Sequence, residues 1–307
     1  MASGLAEPGP PVTDGGAGFG WGWARRARAG APLLGVVPFL AFVGIFLAIP
    51  TLVVAIGAFG DATGRPTLGN VEALGTSTIV DAFVRSIVLS ASTALIGASA
   101  GAMIAYTVVT ARPHGLLRRV VAAASGVLAQ FGGVTLAFAF LATLGFNGFV
   151  TVFAQHTLGI DITGSGWLYQ LPGLMLVYTY FQVPLMVIVF LPALDGIRPQ
   201  WREAAEGLGG STWQYWRHVG IPLLTPSFLG STLLLFANAF SAYATAAALV
   251  SQGSPIVPLK IREAITSEVV LGQANVGKAL ALGMVLVVGV VMIAYARLQR
   301  RTARWLG

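Results

Sequence analysis

The chain has 307 residues, of which 56% are hydrophobic and 9% are charged, and its mean hydropathy is +0.79. A soluble domain carries about 25% charged residues, so the composition excludes a soluble globular protein and indicates several membrane passes. The net charge of +7 is better explained by arginine at a membrane surface than by a nucleic-acid partner. The chain has no cysteine, which excludes disulfides and thiol catalysis.

The chain begins with a tail and continues as one apolar domain. Residues 1–30 are rich in Gly, Pro and Ala without helical periodicity, which predicts a disordered tail. Residues 31–307 are predicted to form an all-α, polytopic domain, because the apolar runs are long enough to cross a bilayer as helices. Six spans are predicted, free of Asp and Glu, at about 33–58, 83–110, 120–145, 171–193, 225–247 and 276–296.

The placement of arginine predicts the orientation of these spans. Most of the 18 Lys and Arg residues fall in the tail, in segments 111–119 and 194–224, and near the C-terminus. The positive-inside rule then places both termini and these two loops in the cytoplasm of a multi-pass membrane protein. On the opposite face, residues 146–158 predict a short interfacial helix, and residues 254–272 predict a turn followed by a helix.

The most polar loop, residues 197–222, predicts two short helices separated by glycines. Pro199 suits an early position of the first helix, and the spacing of Ser211 and Gln214 is that of a capping box that starts the second. Pro222 is expected to end the second helix. Two amphipathic helices on one membrane face can form a docking surface, although a charged loop can also be merely solvated.

The loop carries a recognisable pattern: Glu203-Ala204-Ala205, three residues, Gly209, nine residues, then Val219-Gly220-Ile221-Pro222. This pattern resembles the EAA loop of the type I permeases of ABC importers. The resemblance implies the six-helix fold of those permeases and a loop that docks into a separate ATPase. It implies that Glu203 pairs with a basic residue of the ATPase and that Gly209 allows a sharp turn. The coupling residues it implies are Glu203, Ala204, Ala205, Gly209, Ile221 and Pro222.

Three further stretches, 238–252, 274–288 and 298–305, look like the spermidine/putrescine-type branch of these permeases. This resemblance implies a bacterial inner-membrane protein that carries a small polar solute, with a polyamine favoured and 2-aminoethylphosphonate or another small anion as the alternative. The implied partners are a second, different permease chain, two ATPase subunits that bind ATP and Mg²⁺, and an extracytoplasmic solute-binding protein. The chain itself is expected to bind no cofactor and to catalyse no reaction.

Polar residues inside the apolar runs are candidates for a translocation pathway, because an unsatisfied polar group in hydrocarbon is costly. Asn238 and Ser241 largely share a helical face with Tyr243, so these three form a set. The alternative is that such residues hydrogen-bond neighbouring helices together. The complete candidate set is Gln130, Tyr180, Gln182, Asn238, Ser241 and Tyr243.

A membrane enzyme and a secondary transporter are the alternatives to a transport subunit. A membrane enzyme needs titratable residues gathered at one depth, and a secondary transporter usually has ionisable residues near the midplane and paired inverted halves. Neither signature is present in the predicted spans. No GxxxxGK[ST] motif occurs, and His156 and His218 lack partners at metal-ligand spacing, so neither ATP binding nor a metal site is expected.

Overall fold

The computed structural model describes residues 36–61, 63–110, 115–250, 255–266 and 273–306. The predicted tail 1–30 lies outside the described residues, as do parts of the 111–119 and 254–272 segments. Residues up to Val53 and residues from Val54 onward form two compact units. The described part of the first unit is the beginning of a single exposed helix. The second unit contains the features that follow.

Helices account for most of the described residues. Numbered in chain order they are α1 Val36–Ala58, α2 Gly69–Ala73, α3 Ser77–Thr110, α4 Leu116–Gln130, α5 Gly133–Leu144, α6 Phe149–Leu158, α7 Leu171–Asp195, α8 Pro199–Gly207, α9 Thr212–Ser241, α10 Ala244–Leu249, α11 Val257–Thr266 and α12 Gln273–Leu306.

Six segments are long and apolar enough to cross a membrane, which confirms the predicted number of spans. Their bounds are Val36–Ala58, Ser77–Thr110, Gly133–Leu158, Leu171–Asp195, Thr212–Ser241 and Ala274–Leu298. The second span begins earlier than predicted and therefore includes Asp81, so the expectation that no carboxylate falls within a span is wrong. Helices are present in both segments where short ones were predicted, as α6 and α11, but α6 falls within the third candidate span and not in a loop between spans.

Two predicted spans are interrupted, which corrects their sequence-based bounds. The run 120–145 is not one helix, because α4 ends at Gln130 and α5 starts at Gly133, whose φ of +67° departs from helical geometry. The run 225–247 is likewise divided, because α9 ends at Ser241 and α10 starts only at Ala244. An apolar run shows where chain can enter a membrane but does not reveal a break within it.

The predicted end of the loop's second helix at Pro222 is also wrong, because α9 continues through this residue. A π-helical turn, Trp216–Gly220, ends two residues before Pro222. At its end the Ile221 N–H donates to the Trp216 carbonyl five residues back. Proline lacks an N–H and crowds the preceding turn, and the wider turn accommodates it without ending the helix. The same arrangement occurs in α1, where the π turn Gly44–Ala48 precedes Pro50.

The core of the second unit is formed mainly by α3, α7 and α9. Ala94 and Ala98 of α3 pack with Met186 of α7 and Leu235 of α9, all of them buried. Small residues permit the approach of α3 to α7: a Cβ on Gly101 would lie 2.5 Å from the Met186 Cβ. Such small-residue contacts are the usual basis of close helix packing in membranes, where hydrophobic exclusion between helices is absent.

Candidate functional site

Helix α8 ends in a Schellman motif at the position of the loop glycines. Gly209 has a φ of +78°, as the predicted sharp turn requires. Its N–H donates to the Glu206 carbonyl at 2.9 Å, and the Gly210 N–H donates to the Ala205 carbonyl at 2.9 Å. These two bonds satisfy carbonyls that the helix end would otherwise leave without partners. The direction in which the chain leaves α8 is therefore fixed by hydrogen bonds and by one left-handed residue.

The start of α9 is fixed by the predicted capping box, which the structure confirms. The Ser211 hydroxyl accepts from the Gln214 N–H, and the Gln214 side chain accepts from the Ser211 N–H at 2.7 Å. Both ends of the four-residue connection between the helices, residues 208–211, are thus hydrogen-bonded. The connection joins α8 to α9 in a defined geometry, with no long flexible segment between them.

The loop exposes apolar side chains together with one carboxylate that has no partner among the described residues. Leu208 is 89% exposed and Trp213 is 67% exposed. Arg202 Nε donates to Glu206 Oε1 at 2.8 Å, and this hydrogen bond raises the pKa of the Arg202 guanidinium above its ordinary value. Glu203 is exposed and makes no ion pair or hydrogen bond through its side chain with any described residue. The charge of Glu203 therefore remains available to another molecule.

Aromatic contacts hold the base of the loop against α3. The rings of Trp216 and Tyr106 meet edge to face with centroids 5.3 Å apart. The Trp216 ring also packs so closely over Gly220 that a Cβ there would collide with it. On a neighbouring part of the same side, Arg118 of α4 and Asp195 of α7 form an ion pair at 2.6 Å. The loop is thus attached to the helices that form the core.

A second feature is a cavity of about 280 Å³ where the two interrupted spans meet. It lies beside the break between α4 and α5 and the break between α9 and α10. The Tyr178 hydroxyl of α7 donates to the Ala242 carbonyl at 2.6 Å and so satisfies a backbone group within the second break. The described residues that line the cavity are Ala129, Gly132, Gly133, Phe181, Asn238, Ser241, Ala242, Tyr243, Ala244 and Thr245.

The structure brings Asn238, Ser241 and Tyr243 together at this cavity, although not for the predicted reason. They do not share one helical face, because α9 ends at Ser241 and Tyr243 lies beyond it. Non-helical backbone is tolerated in such a protein where it lines a cavity, and the break between α9 and α10 borders one. Helical spacing places Asn238 and Ser241 on one face of α9, and the irregular backbone after Ser241 brings Tyr243 to the same cavity.

The other three pathway candidates do not line this cavity in the part of the chain that is described. Gln130 is the exposed last residue of α4, and Tyr180 packs edge to face against Phe140 with centroids 5.6 Å apart. Gln182 is fully buried, and its amide lies 3.1 Å from both the Thr93 hydroxyl and the Leu235 carbonyl oxygen. Gln182 therefore links α7 to α3 and α9 by hydrogen bonds, which is the alternative role expected for polar residues in the spans.

Sequence reasoning missed Thr245 and Phe181 as cavity residues. Thr245 is 2% exposed, and its hydroxyl has no hydrogen-bond partner among the described residues. A threonine in an alanine-rich stretch carries little signal, whereas the pair Gly132-Gly133 within an apolar run was the stronger indication of a break. The described residues contain no group of three His, Asp or Glu side chains that could hold a metal ion.

Comparison with known proteins decides the family. Residues 134–306, more than half of the chain, match the model of the family described as "Binding-protein-dependent transport system inner membrane component". The chain belongs to this family. Its members are permeases, and the matched region of this permease includes the loop and most of the cavity. The permease also shares its fold with a bacterial ABC transporter involved in the import of the acidic polysaccharide alginate, with a TM-score of 0.71, 17% identity and coverage of 92% and 98% of the two chains.

Curated relatives of the permease are transport subunits rather than enzymes. The thiamine transport system permease protein ThiP of Escherichia coli is 28% identical over 51% of this chain and 28% of its own length. The ferric transport system permease protein FbpB of Actinobacillus pleuropneumoniae is 27% identical over 62% and 27%. The sulfate transport system permease protein CysT of Salmonella typhimurium is 30% identical over 36% of each chain. The permease thus spans about a third of the length of the relatives it matches.

Proposed function

We propose that the permease is a membrane-spanning subunit of an ATP-driven, binding-protein-dependent importer and forms half of the pathway for a small polar solute. The observation that carries the proposal is the geometry of loop 197–222. Within the loop, hydrogen bonds at Gly209 fix the end of α8, and the capping box at Ser211 fixes the start of α9. Helix α9 then continues without interruption to the cavity. A helix of 30 residues is about 45 Å long, enough to connect one membrane face to the interior.

The loop has the surface of a docking element. Leu208 and Trp213 expose apolar area beside the carboxylate of Glu203, which has no partner in the described chain. An apolar centre with a charged rim is what a protein partner buries. In the proposed complex two copies of a cytoplasmic ATPase subunit, which bind ATP and Mg²⁺, supply this partner surface. Ala204, Ala205, Ile221 and Pro222 complete the coupling segment.

The remaining partners follow from the membrane setting. Arginine lies on the side of the loop, so we place the loop and both termini in the cytoplasm. The solute-binding protein then meets the opposite face. A second permease subunit completes the pathway, and the resemblance to the polyamine-type branch favours a different chain over a second copy. Lipid covers exposed apolar helix faces such as that of α1.

The solute class is narrowed by two observations. The relatives described above are named for thiamine, ferric and sulfate transport, so they do not support the narrower expectation of a polyamine. A polyamine site uses carboxylates or aromatic faces, and the described lining of the cavity has no acidic residue but does include the rings of Phe181 and Tyr243. The lining therefore does not single out a polyamine. We therefore propose a small polar solute without restricting it to polyamines.

Docking of the ATPase tests the proposal. Leu208→Asp places a charge at an 89% exposed position, so the chain itself should fold normally. We expect this variant to lose the ATPase subunit when the complex is purified through the permease. Leu68→Asp is the matched control, because Leu68 is 63% exposed but precedes α2 on the opposite face. Equal retention of the ATPase by both variants would contradict docking through the loop.

A further inference from the structure

An ion pair joins α4 to α7 at the ends of these helices that lie on the side of the loop. Arg118 Nη2 lies 2.6 Å from Asp195 Oδ2, and the two side chains are 29% and 38% exposed. The pair of Arg202 and Glu206 lies within one helix, whereas this pair connects two helices that are far apart in sequence. Charge therefore contributes to the contact between α4 and α7.

Neither charge is placed to stabilise its own helix. Arg118 is the third residue of α4, and Asp195 is the last residue of α7. The macrodipole of a helix favours anions near its first turn and cations near its last, so each charge lies at the end that disfavours it. Local helix stability would favour the two residues in exchanged positions. The observed placement therefore has to be explained by what the pair connects.

Side-chain packing attaches α4 only weakly to the rest of this chain. Ser125 is the one buried residue among the fifteen of α4, all of which the structure describes. The helix packs mainly against α7, while Leu116 and Val127 near its two ends are exposed. In a membrane, close packing rather than exclusion of water holds helices together, so the ion pair is a substantial part of this attachment.

Both helices extend from the ion pair to the cavity. Ala129 follows Arg118 by eleven residues along α4, and Phe181 precedes Asp195 by fourteen residues along α7. Ala129 and Phe181 line the cavity, which corresponds to about 16 Å and 21 Å of helix at 1.5 Å per residue. A displacement of α4 at the ion pair would therefore move one wall of the cavity.

The other partner of the pair is joined directly to the loop. Residues 196–198 separate α7 from α8. The N–H groups of Gly196 and Ile197 donate to carbonyls of the last turn of α7 at 3.1 Å and 3.2 Å. The short, hydrogen-bonded connection makes Asp195 follow any movement of the loop.

We propose that Arg118 and Asp195 form a second coupling link between the loop and the cavity. Helix α9 carries movement of the loop to Ser241 on one wall, and the ion pair carries it through α4 to Ala129 on the other. Both members of the pair are positioning residues, which act on the pathway through α4. The inference rests on the proposed transport function and adds the path by which the ATPase moves α4.

The two walls can be followed separately. Because the chain contains no cysteine, Ala129→Cys and Ser241→Cys each place a single thiol on one wall. In the complete importer, the rate of modification by neutral methyl methanethiosulfonate is measured by mass spectrometry of the intact permease, without nucleotide and with ATP trapped by vanadate. We expect nucleotide to change both rates. Added Arg118→Gln should reduce the change at Ala129→Cys by roughly two- to fivefold and leave that at Ser241→Cys unaltered.

Two further variants separate the link from a general effect of charge. Arg119→Gln is the matched control, because Arg119 is exposed and forms no ion pair with any described residue. Combining Arg118→Asp with Asp195→Arg should restore the response at Ala129→Cys, since the pair can form again and each charge then lies at the favoured helix end. Each of these two substitutions alone should abolish the response. Thermal unfolding midpoints identify variants that are unstable.

Equal responses of Ala129→Cys with Arg118→Gln and with Arg119→Gln would overturn the link. Failure of the exchanged pair to restore the response at a normal unfolding midpoint would do the same, as would loss of the response at both thiols in Arg118→Gln. With the pair intact, a response at Ser241→Cys alone would refute the link and leave the transport function standing. No nucleotide response at either thiol would refute ATP-driven transport and the link together.

Discussion

Replacement of Gly209 by valine isolates the contribution of the loop turn to coupling. At a φ of +78° an L-residue is strained whatever the surrounding space, and nothing lies within 4 Å of a Cβ at this position. The cost is therefore conformational and local. A non-glycine residue in this region costs about 1–2 kcal/mol, and a β-branched residue lies at or above the upper end of that range.

A penalty of about 1–2 kcal/mol lowers the population of the observed turn by roughly five- to thirtyfold relative to alternatives. The helix α9 would then begin in another direction from α8, while the spans remain inserted. We expect Gly209→Val to reach the membrane in normal amount but to hydrolyse more ATP per solute transported. The assay measures hydrolysis and uptake together in proteoliposomes that contain the complete importer.

Two further variants at this loop test the reason for the effect. Gly209→Asn should be milder, because asparagine tolerates left-handed geometry better than valine. Gly207→Ala is the matched control, since Gly207 is helical and has no atom within 4 Å of its Cβ position. Normal coupling in Gly209→Val, or a defect of equal size in Gly207→Ala, would refute the reasoning.

Three other predictions concern the spans. Gly132→Val should block uptake with little loss of stability, because its Cβ meets nothing within 4 Å and the side chain enters the cavity; unchanged uptake would argue against this pathway. Gly101→Ala should destabilise the protein by about 1–3 kcal/mol in thermal unfolding, because its Cβ would lie 2.5 Å from a Met186 atom. Gly126→Ala is the control, since its Cβ meets nothing within 4 Å, and equal thermal unfolding midpoints for the two variants would contradict the packing. Impermeant maleimide should label Ser165→Cys but not Ser211→Cys in intact cells, and the reverse pattern would invert the proposed orientation.

The class of fold was predictable because it depends on composition over long windows. Apolar runs of more than 20 residues and the distribution of arginine are coarse signals that single residues do not alter. The capping box at Ser211 and the left-handed turn at Gly209 were also predictable, because each depends on interactions within a few residues. Features of this kind can be predicted because the residues that form them are close together in the sequence.

The breaks and the division of polar residues between cavity and core were not predictable in the same way. Gln182 and Asn238 are both amides in apolar runs, yet the first is buried against Thr93 and the second lines the cavity. Which role each takes depends on the neighbouring helices, and those lie far away in sequence. The prediction that the helix ends at Pro222 failed for a related reason. The π turn that accommodates this proline has a geometry that no residue type specifies.

The π turn at Trp216–Gly220 also sets an angular relationship along α9. Successive residues of an α-helix are separated by about 100° around its axis, and a π turn adds roughly one residue to one turn. Side chains before the turn, such as Trp213, are therefore rotated by about 100° relative to the directions that an uninterrupted α-helix would give them. Shortening the turn by one residue would rotate Trp213 by about 100° away from the proposed ATPase contact, while Asn238 would still face the cavity. The extra residue therefore sets the direction of Trp213 at one end of α9 relative to that of Asn238 at the other.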